Sequence, residues 1–586
     1  MRASKSGSRR AKVEAAPRIG AAADHPPRAG VRIAGALFLA AGLAWLVARE
    51  MHFATWVDDD AFISFRYARN LAEGNGLVFN TGERVEGYSN FLWTVVMAGC
   101  HKLGFDLPSA ARMLGAVFSI LTALMLFFFT RTKLFANASG AWRGSAAETN
   151  NVEPVPIAVA LLGPLLVCCS DNWAAWAVGG LENVLSGFLV ALAFLLYFTA
   201  TGVTSGTATG VTSETATDAA RTRRLAMCAF VLCLAGMNHP TNNLFMGIIG
   251  LDLCCSVLAG RSGRRDLVVF AVVVLVVFGP YTGWRVATYG DLLPNTYYAK
   301  VGLTTATLQR GALYLGEILR AFPLAFIGLG LASAMLLRQR ERNESLALLV
   351  VGAWLPIVYV LLVGGEEFPA YRSLIVLVPL MAVILQAVVY RVLLRTGAVV
   401  PGTGLGRRAL PSAVAAAVLV GHALPLYGNH RVRLLDDAVR LGRTGLSVAA
   451  ALMLRDHLKP DTLFAHSGAG LIAYYTNFRW IDTLGLTDRH IARTRVENLG
   501  KFAAGHEKGD GAYVWSRQPD YVMFPGYPIS DPKPGSKGDR ELFAIPEFHR
   551  VYRPIRLVFQ FKGPSDDVPR EHSLYLYERI GPKSAR

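Results

Sequence analysis

Charge and cysteine are both scarce in this sequence. Asp, Glu, Lys and Arg make up 17% of its 586 residues, whereas a soluble chain carries about a quarter. The apolar set makes up 53%. That balance argues against a string of soluble domains and for a polytopic membrane protein. The seven cysteines, Cys100, Cys168, Cys169, Cys228, Cys233, Cys254 and Cys255, all fall in apolar segments, and none follows residue 255. Neither a zinc spacing nor a disulfide framework can be built from them, which argues against metal or redox chemistry by thiolate. Acidic residues are outnumbered, 42 to 59 basic, leaving a formal charge of +17. Such an excess raises the question of nucleic acid, but membrane proteins collect Lys and Arg in their cytoplasmic loops.

What the sequence has in quantity is long apolar runs. Residues 1–32 have none and carry eight basic residues; they read as a disordered cytoplasmic arm. Residues 33–48, bounded by Arg32 and Arg49, read as an uncleaved first span. Further runs lie at about 110–130, 155–170, 182–200, 225–238, 242–259, 267–286, 321–337, 345–363, 373–390 and 411–427, for eleven in all. The shorter segment 89–104 reads as a helix in the outer interface. With it left out, five alternate connections are basic: Arg131, Lys133 and Arg143; Arg221, Arg223 and Arg224; Arg261, Arg264 and Arg265; Arg338, Arg340 and Arg342; Arg391, Arg395, Arg407 and Arg408. The positive-inside rule then places the amino terminus inside and the carboxyl terminus outside. Much of the positive excess therefore has a topological explanation, and no nucleic-acid partner is expected.

Residues 428–586 contain no spanning run and read as a soluble extracytoplasmic α/β domain. They have a helical stretch near 434–458 and short strands around Thr462–Ala465, Tyr521–Phe524, Arg556–Phe561 and Leu574–Tyr577. The tandem repeat at 201–216 reads as a flexible linker. The expected fold is thus a polytopic α-helical membrane protein of about eleven transmembrane helices with that carboxyl-terminal domain. The membrane domain covers 33–427 and contains a first external loop at 51–109.

Polar residues gather where spans end on the outer side, the default place to look for function. Residues 51–88 hold six acidic and three basic residues. Asp60 is placed to N-cap a helix from Ala61 to about Glu73, stopped by Gly74 and Gly76. If the helix starts one residue earlier, Asp59 and Arg66 share a face about 10 Å apart and can bracket a sugar and a phosphate. Three adjacent carboxylates, Asp58, Asp59 and Asp60, raise one another's pKa, which makes one a candidate general base; the bland reading is a solvated helix cap. Asn295 and Lys300 lie in a second cluster, Glu366, Glu367 and Arg372 in a third, His239 in a fourth and Glu182 in a fifth. Each also has an ordinary reading: loop packing, snorkelling, a buried histidine, a helix-dipole carboxylate.

These residues carry a resemblance. Asp59-Asp60-Ala61-Phe62-Ile63 through Arg66-Tyr67, Glu86-Gly87-Tyr88 with Asn90-Phe91-Leu92-Trp93, Gly180-Leu181-Glu182, Tyr289-Gly290-Asp291, Pro294-Asn295-Thr296, Tyr298-Ala299-Lys300, Gly364-Gly365 before Arg372, and residues 482–488 (DTLGLTD) follow in order. In them the chain resembles the GT-C class of integral membrane glycosyltransferases, and within it the mycobacterial terminal β-(1→2) arabinofuranosyltransferase family and its bacterial relatives, from about residue 33 to 580. Relatives often have Asp after the Gly-Gly pair, where this chain has Glu366. The resemblance implies a multi-pass protein of the bacterial cytoplasmic membrane that moves a sugar, arabinofuranose in the relatives, from a polyprenyl-phosphate donor to a hydroxyl of a cell-envelope glycan.

The resemblance places the essential carboxylate at Asp59 or Asp60. Arg66, Glu182, His239, Asn295, Lys300, Glu366 and Arg372 are the expected substrate contacts, with Arg66, Lys300 and Arg372 opposite the leaving phosphate. No cofactor is required, and the paired acidic residues permit a divalent metal without requiring one. The competing readings are a transporter or flippase of a lipid-linked sugar, which calls for midplane charges, and an enzyme of the same class using another polyprenyl-phosphate sugar.

Overall fold

The computed structural model describes residues 29–132, 134–135, 155–201, 214–338, 343–396, 405–427, 429–497, 499–524, 533–581 and 583. Most of the basic arm, most of the threonine-rich repeat, and Lys133, Arg143, Arg340 and Arg342 lie outside the described residues.

Seven helices are long and apolar enough to cross a membrane, and ten spans result if each of three bent pairs counts as one. The chain is therefore a multi-pass helical membrane protein, and the ten coincide with ten of the eleven expected runs. The eleventh, 225–238, is the apolar end of a longer helix, Glu214–Asn238. Its first half carries Asp218, Arg221, Arg223 and Arg224, which keep it out of the set defined by length and composition. The bent pairs have local causes. Cys168 and Asp171 are separated by a break at which Ser170 turns its hydroxyl back to the Leu166 carbonyl, and Asp171 pairs with Arg49 at 2.8 Å. Pro323 opens the helix Pro323–Leu337 at 100° to Thr305–Ala321, since proline cannot donate the hydrogen bond a continuous helix needs. Large apolar side chains such as Leu37, Phe38, Leu275 and Val276 stay exposed on the spans, as lipid-facing groups do.

Helix α1 (Ala29–Phe53) leads into α2 (Asp59–Ala72), and α3 (Phe91–Lys102) follows. Helix α3 has twelve residues, too short to span, and corresponds to the segment left out of the span count. The N-cap of α2 is Asp58 rather than Asp60: its Oδ1 accepts from the Asp60 N–H at 3.1 Å. Gly74, with φ +85°, ends the helix.

The carboxyl-terminal part holds a five-stranded sheet: β1 (Leu463–His466), β2 (Arg479–Asp482), β3 (Tyr521–Met523), β4 (Tyr552–Phe561) and β5 (Arg570–Arg579), in the order β2-β1-β3-β5-β4. β1 runs parallel to β2 and β3; β5 is antiparallel to β3 and β4. Alternation along β1 and β2 divides the faces. Leu463, Ala465 and Ile481 join Val514, Val522 and Leu542 in a separate small core. Phe464 and Trp480, on the other face, are stacked at 4.9 Å and belong to the core that continues into the helical bundle. The helical stretch expected near 434–458 is two helices, His430–Arg440 and Arg443–His457, broken at Gly442 (φ +62°).

Candidate active site

A cavity of about 280 Å³ lies where the ends of six candidate spans meet. Asp60 follows α1, Glu182 precedes Asn183–Thr201, His239 precedes Pro240–Leu258, Lys300 comes soon after Arg264–Tyr289, Glu366 follows Glu344–Val363, and Arg372 sits at the start of Pro369–Arg395. Six of the nine residues singled out in the sequence thus share one cavity. Its lining also includes apolar side chains of the spans, among them Phe245, Pro356, Val360, Val363 and Val376.

Asp60 is the hub of the polar end. Its Oδ2 lies 3.0 Å from Arg372 Nη1 and 3.9 Å from Lys300 Nζ. Burial pushes the carboxyl up, but Lys300 and Arg372 outweigh it and hold Asp60 below the usual carboxylate range. Arg372 also donates from Nε to Glu366 Oε2 at 3.2 Å and stacks over the Phe368 ring at 3.4 Å. The backbone just before it is strained: Ala370 and Tyr371 have φ of 51° and 55°. A non-glycine residue pays about 1–2 kcal/mol for that region. Burial of Tyr371, whose hydroxyl reaches Asn429, holds the turn in place. Glu366 accepts from the Ser373 N–H. Glu182 Oε2 accepts from Asn90 Nδ2 at 2.6 Å, and Asn90 Oδ1 accepts from Ser64 Oγ at 2.9 Å. His239 caps a short turn through Thr241.

Asp59 and Asp58 point elsewhere. Asp59 Oδ1 accepts from the Leu471 N–H at 2.8 Å, and a methyl on Gly470 would collide with the Asp59 backbone and carboxylate. Both acids line a second cavity of about 500 Å³ with Trp56, His430 and Arg431. Burial raises Asp59 to about 6, against the Leu471 and Gly470 amides that favour its anion. Burial and the neighbouring Asp60 raise Asp58 to about 8. A carboxyl whose folded pKa is raised stabilises the fold most below its unfolded value and loses that contribution as pH climbs through the folded one. Stability should therefore fall between about pH 4 and pH 8 through Asp58. Asp58→Asn keeps the capping oxygen, so its melting temperature in detergent should exceed that of the parent by a widening margin as pH rises through this window. Parallel curves for the two proteins would refute the assignment.

Two expected substrate contacts, Arg66 and Asn295, lie outside the 280 Å³ cavity. Arg66 is 3% exposed and donates to the Phe79, Ala473 and Phe478 carbonyls and to Asn80 Oδ1, at 2.7–3.1 Å. Four of its five N–H donors serve the junction between α2 and the sheet region. Asn295 is likewise buried; its Nδ2 donates to Gly485 O and Leu486 O at 2.8 and 3.1 Å. Asp59 and Arg66 both hold the carboxyl-terminal part against α2.

Sequence reading missed Ser64, Asn183, Ser186, Thr241 and Tyr297, all of which line the cavity. A spacing of four would have found two of them, since Asp60 and Ser64, and Glu182 and Ser186, each lie one helical turn apart. For a metal, the donor set is unsuitable. Among the described residues no group of three His, Cys, Asp or Glu side chains is placed to hold a metal ion. Asp60 and Glu366 are already paired with cations and Glu182 with an amide.

Fold and site together define a multi-pass membrane protein with a charged cavity at one end of its spans. In sequence it resembles two proteins named terminal β-(1→2)-arabinofuranosyltransferase. That of Mycobacterium tuberculosis is 28% identical over 272 residues, 46% of this chain and 38% of the relative. That of Corynebacterium glutamicum is 26% identical over 353 residues, 56% of this chain and 47% of the relative. The matched region thus spans less than half the length of either relative. Residues 436–575 match a family model described as a domain of unknown function (DUF8728). Among solved structures, ArnT from Cupriavidus metallidurans, bound to undecaprenyl phosphate, superposes with TM-score 0.47 at 12% identity, covering 77% of this chain and 85% of that one. The Archaeoglobus fulgidus oligosaccharyltransferase gives 0.48 at 12% identity, covering 75% and 63%.

Proposed function

We propose that this protein is a glycosyltransferase of the GT-C class that moves a sugar from a polyprenyl-phosphate donor to a hydroxyl of a cell-envelope glycan. By its resemblance the sugar is arabinofuranose. The reaction takes place on the outer face of the bacterial cytoplasmic membrane, with the amino terminus inside and residues 428–586 forming an extracytoplasmic domain. The observation that carries the reading is the composition of the 280 Å³ cavity, which Asp60, Arg372 and Lys300 line together with apolar side chains of the spans. A phosphate on an isoprenoid chain needs that pairing of cations with an apolar wall.

The chain path supports eleven spans. Glu182 and His239 line the same cavity, yet the helix Asn183–Thr201 between them carries the chain about 28 Å away at 1.5 Å per residue. Glu214–Asn238 must cover the same depth on the way back, which makes it the remaining crossing.

In the reaction, the bond from the sugar C1 to the lipid-phosphate oxygen breaks and a bond from C1 to the acceptor oxygen forms. The acceptor proton departs with the lipid phosphate. Arg372 and Lys300 stabilise the charge growing on the leaving phosphate. A general base works best with its pKa near the operating pH, whereas Asp60 is held low and ionised. It therefore serves better as the anion facing the developing positive charge on C1, or as the nucleophile of a double displacement, than as a base.

The test is transfer by the purified protein in lipid vesicles from synthetic polyprenyl-phosphate arabinofuranose, with the corresponding mannose donor alongside. Lys300→Ala should raise the KM for the donor about tenfold or more through loss of one cation. Transfer from the mannose donor alone would reassign the sugar. Movement of the lipid-linked sugar across the vesicle with no transfer would replace the enzyme by a transporter.

A further inference from the structure

A second polar concavity lies outside the cavity described above. It is an open groove of about 800 Å³ lined by residues between 487 and 495, by Asp510, Tyr513 and Arg517, and by Glu83 and Val85. One thin wall separates the two sites. Gly87 and Leu486 face the Asp60 cavity, while Val85 and Thr487 face the groove. Glycine is required at 87, where a Cβ would meet Thr487 and the Leu486 carbonyl.

The groove is built before any ligand arrives. Its floor is a flat stack of His490 on Tyr513, with ring centroids 4.1 Å apart and an interplanar angle of 13°. The Tyr513 hydroxyl donates to Asp488 Oδ2 at 3.0 Å and accepts from Arg517 Nη1 at 2.7 Å. Arg517 also pairs with Glu83 at 3.2 Å, and His490 Nε2 lies 2.8 Å from Asp510 Oδ2. Asp488 and Asp510 cap the short helices on which these residues stand. Arg495 is exposed and, among the described residues, has no side-chain partner.

Charge decides the class of ligand. Four arginines, Arg489, Arg493, Arg495 and Arg517, alternate with Glu83, Asp488 and Asp510 around the groove. A polyanion would meet three carboxylates there, whereas a hydroxyl both donates and accepts and so satisfies Arg N–H groups and carboxylate oxygens in turn. The half-exposed His490 ring on its tyrosine support offers a flat face to the C–H side of a sugar. We infer that this groove is a glycan-binding subsite, holding an uncharged, hydroxyl-rich stretch of the acceptor chain while its end crosses the Gly87–Leu486 wall to reach Asp60. The inference rests on the glycosyl-transfer reading for what the bound chain is used for, but not for the binding itself.

There is a direct line from groove to cavity. Arg493 pairs with Asp291 at 2.8 Å, donates to Asn295 Oδ1 at 3.3 Å and lies over the Tyr298 ring at 4.6 Å. Those three residues belong to the segment that carries Lys300. A glycan seated on Arg493 therefore touches the loop that positions one of the cations of the cavity.

The experiment measures binding of arabinofuranose oligosaccharides, a disaccharide and an octasaccharide, to the full-length protein in detergent by calorimetry. His490→Ala and Arg495→Ala are compared with the parent. The parent should bind the octasaccharide about tenfold or more tighter than the disaccharide, and each variant should lose most of that ratio. Arg495 is exposed, so an unchanged melting temperature for Arg495→Ala rules out a folding explanation. Equal binding of short and long chains overturns the subsite, as does a ratio untouched in both variants, whether or not transfer is observed. Stronger binding of dextran sulfate than of the neutral chain also overturns it. A length-dependent ratio lost in the variants supports the subsite even in a preparation that transfers no sugar, so its failure and that of the enzymatic reading are separable.

Discussion

Asp60→Asn should lower the rate of sugar transfer about a thousandfold, with donor binding largely kept. The substitution preserves shape and removes the single negative charge that faces Arg372 and Lys300 across 3.0 and 3.9 Å. Arg372 retains Glu366 as a partner, so the turn that holds it should survive. Asp59→Asn is the informative companion. Its amide oxygen can still accept from the Leu471 N–H, and the side chain does not line the 280 Å³ cavity. It should lose less than about tenfold in rate. Steady-state kinetics on both variants, with donor KM and kcat separated, decides between two acids that are adjacent in sequence. Equal losses would show that the cavity is not where the carboxylate acts.

Arg66→Ala should have the largest effect on stability of any single substitution at these loops, about 3–5 kcal/mol. It removes four hydrogen bonds from the junction, to the Phe79, Ala473 and Phe478 carbonyls and the Asn80 oxygen, and takes the guanidinium from the face of Phe79, 4.3 Å away. Arg66→Lys should recover only part of the loss, because an ammonium cannot reproduce the planar fork that reaches carbonyls on two sides. Thermal unfolding in detergent, with proteolysis near residues 470–480, reads the effect as release of the sheet region from α2. Donor KM in the fraction that stays folded should be unchanged. A variant that melts normally but binds donor poorly would restore Arg66 to the phosphate site.

Where sequence reading succeeded and where it failed follow from the range of the interactions. Apolar runs and basic loops are local signals, and ten of the eleven expected spans coincide with helices or bent helix pairs. The cavity residues were legible for a related reason. Asp60, Glu182, His239, Lys300, Glu366 and Arg372 are polar groups placed where hydrocarbon ends, and such placements are expensive without a purpose. The roles of Arg66, Asn295 and Asp59 were not legible, because each has partners 190 to 412 residues away. Most of those partners are backbone groups, which carry no residue-type signature. An arginine that could bind phosphate and one that knits two segments together look the same in a list of letters. Strand β2 escaped for another reason: Arg479-Trp480-Ile481-Asp482 is short and charged at both ends, and only its pairing with β1 makes it a strand.

The junction at α2 also has a bearing on how the protein is made. Arg66 finds acceptors in Ala473 and Phe478, and Asp59 its amide in Leu471, only after some four hundred residues beyond helix α2 have been synthesised. Throughout that interval the acid next to Asp59 has no fixed position, because the peptide that fixes it has not been built. Docking of α2 thus waits for residues 471–478 to emerge. On the glycosyl-transfer reading, a chain halted before them would sit in the bilayer and transfer no sugar.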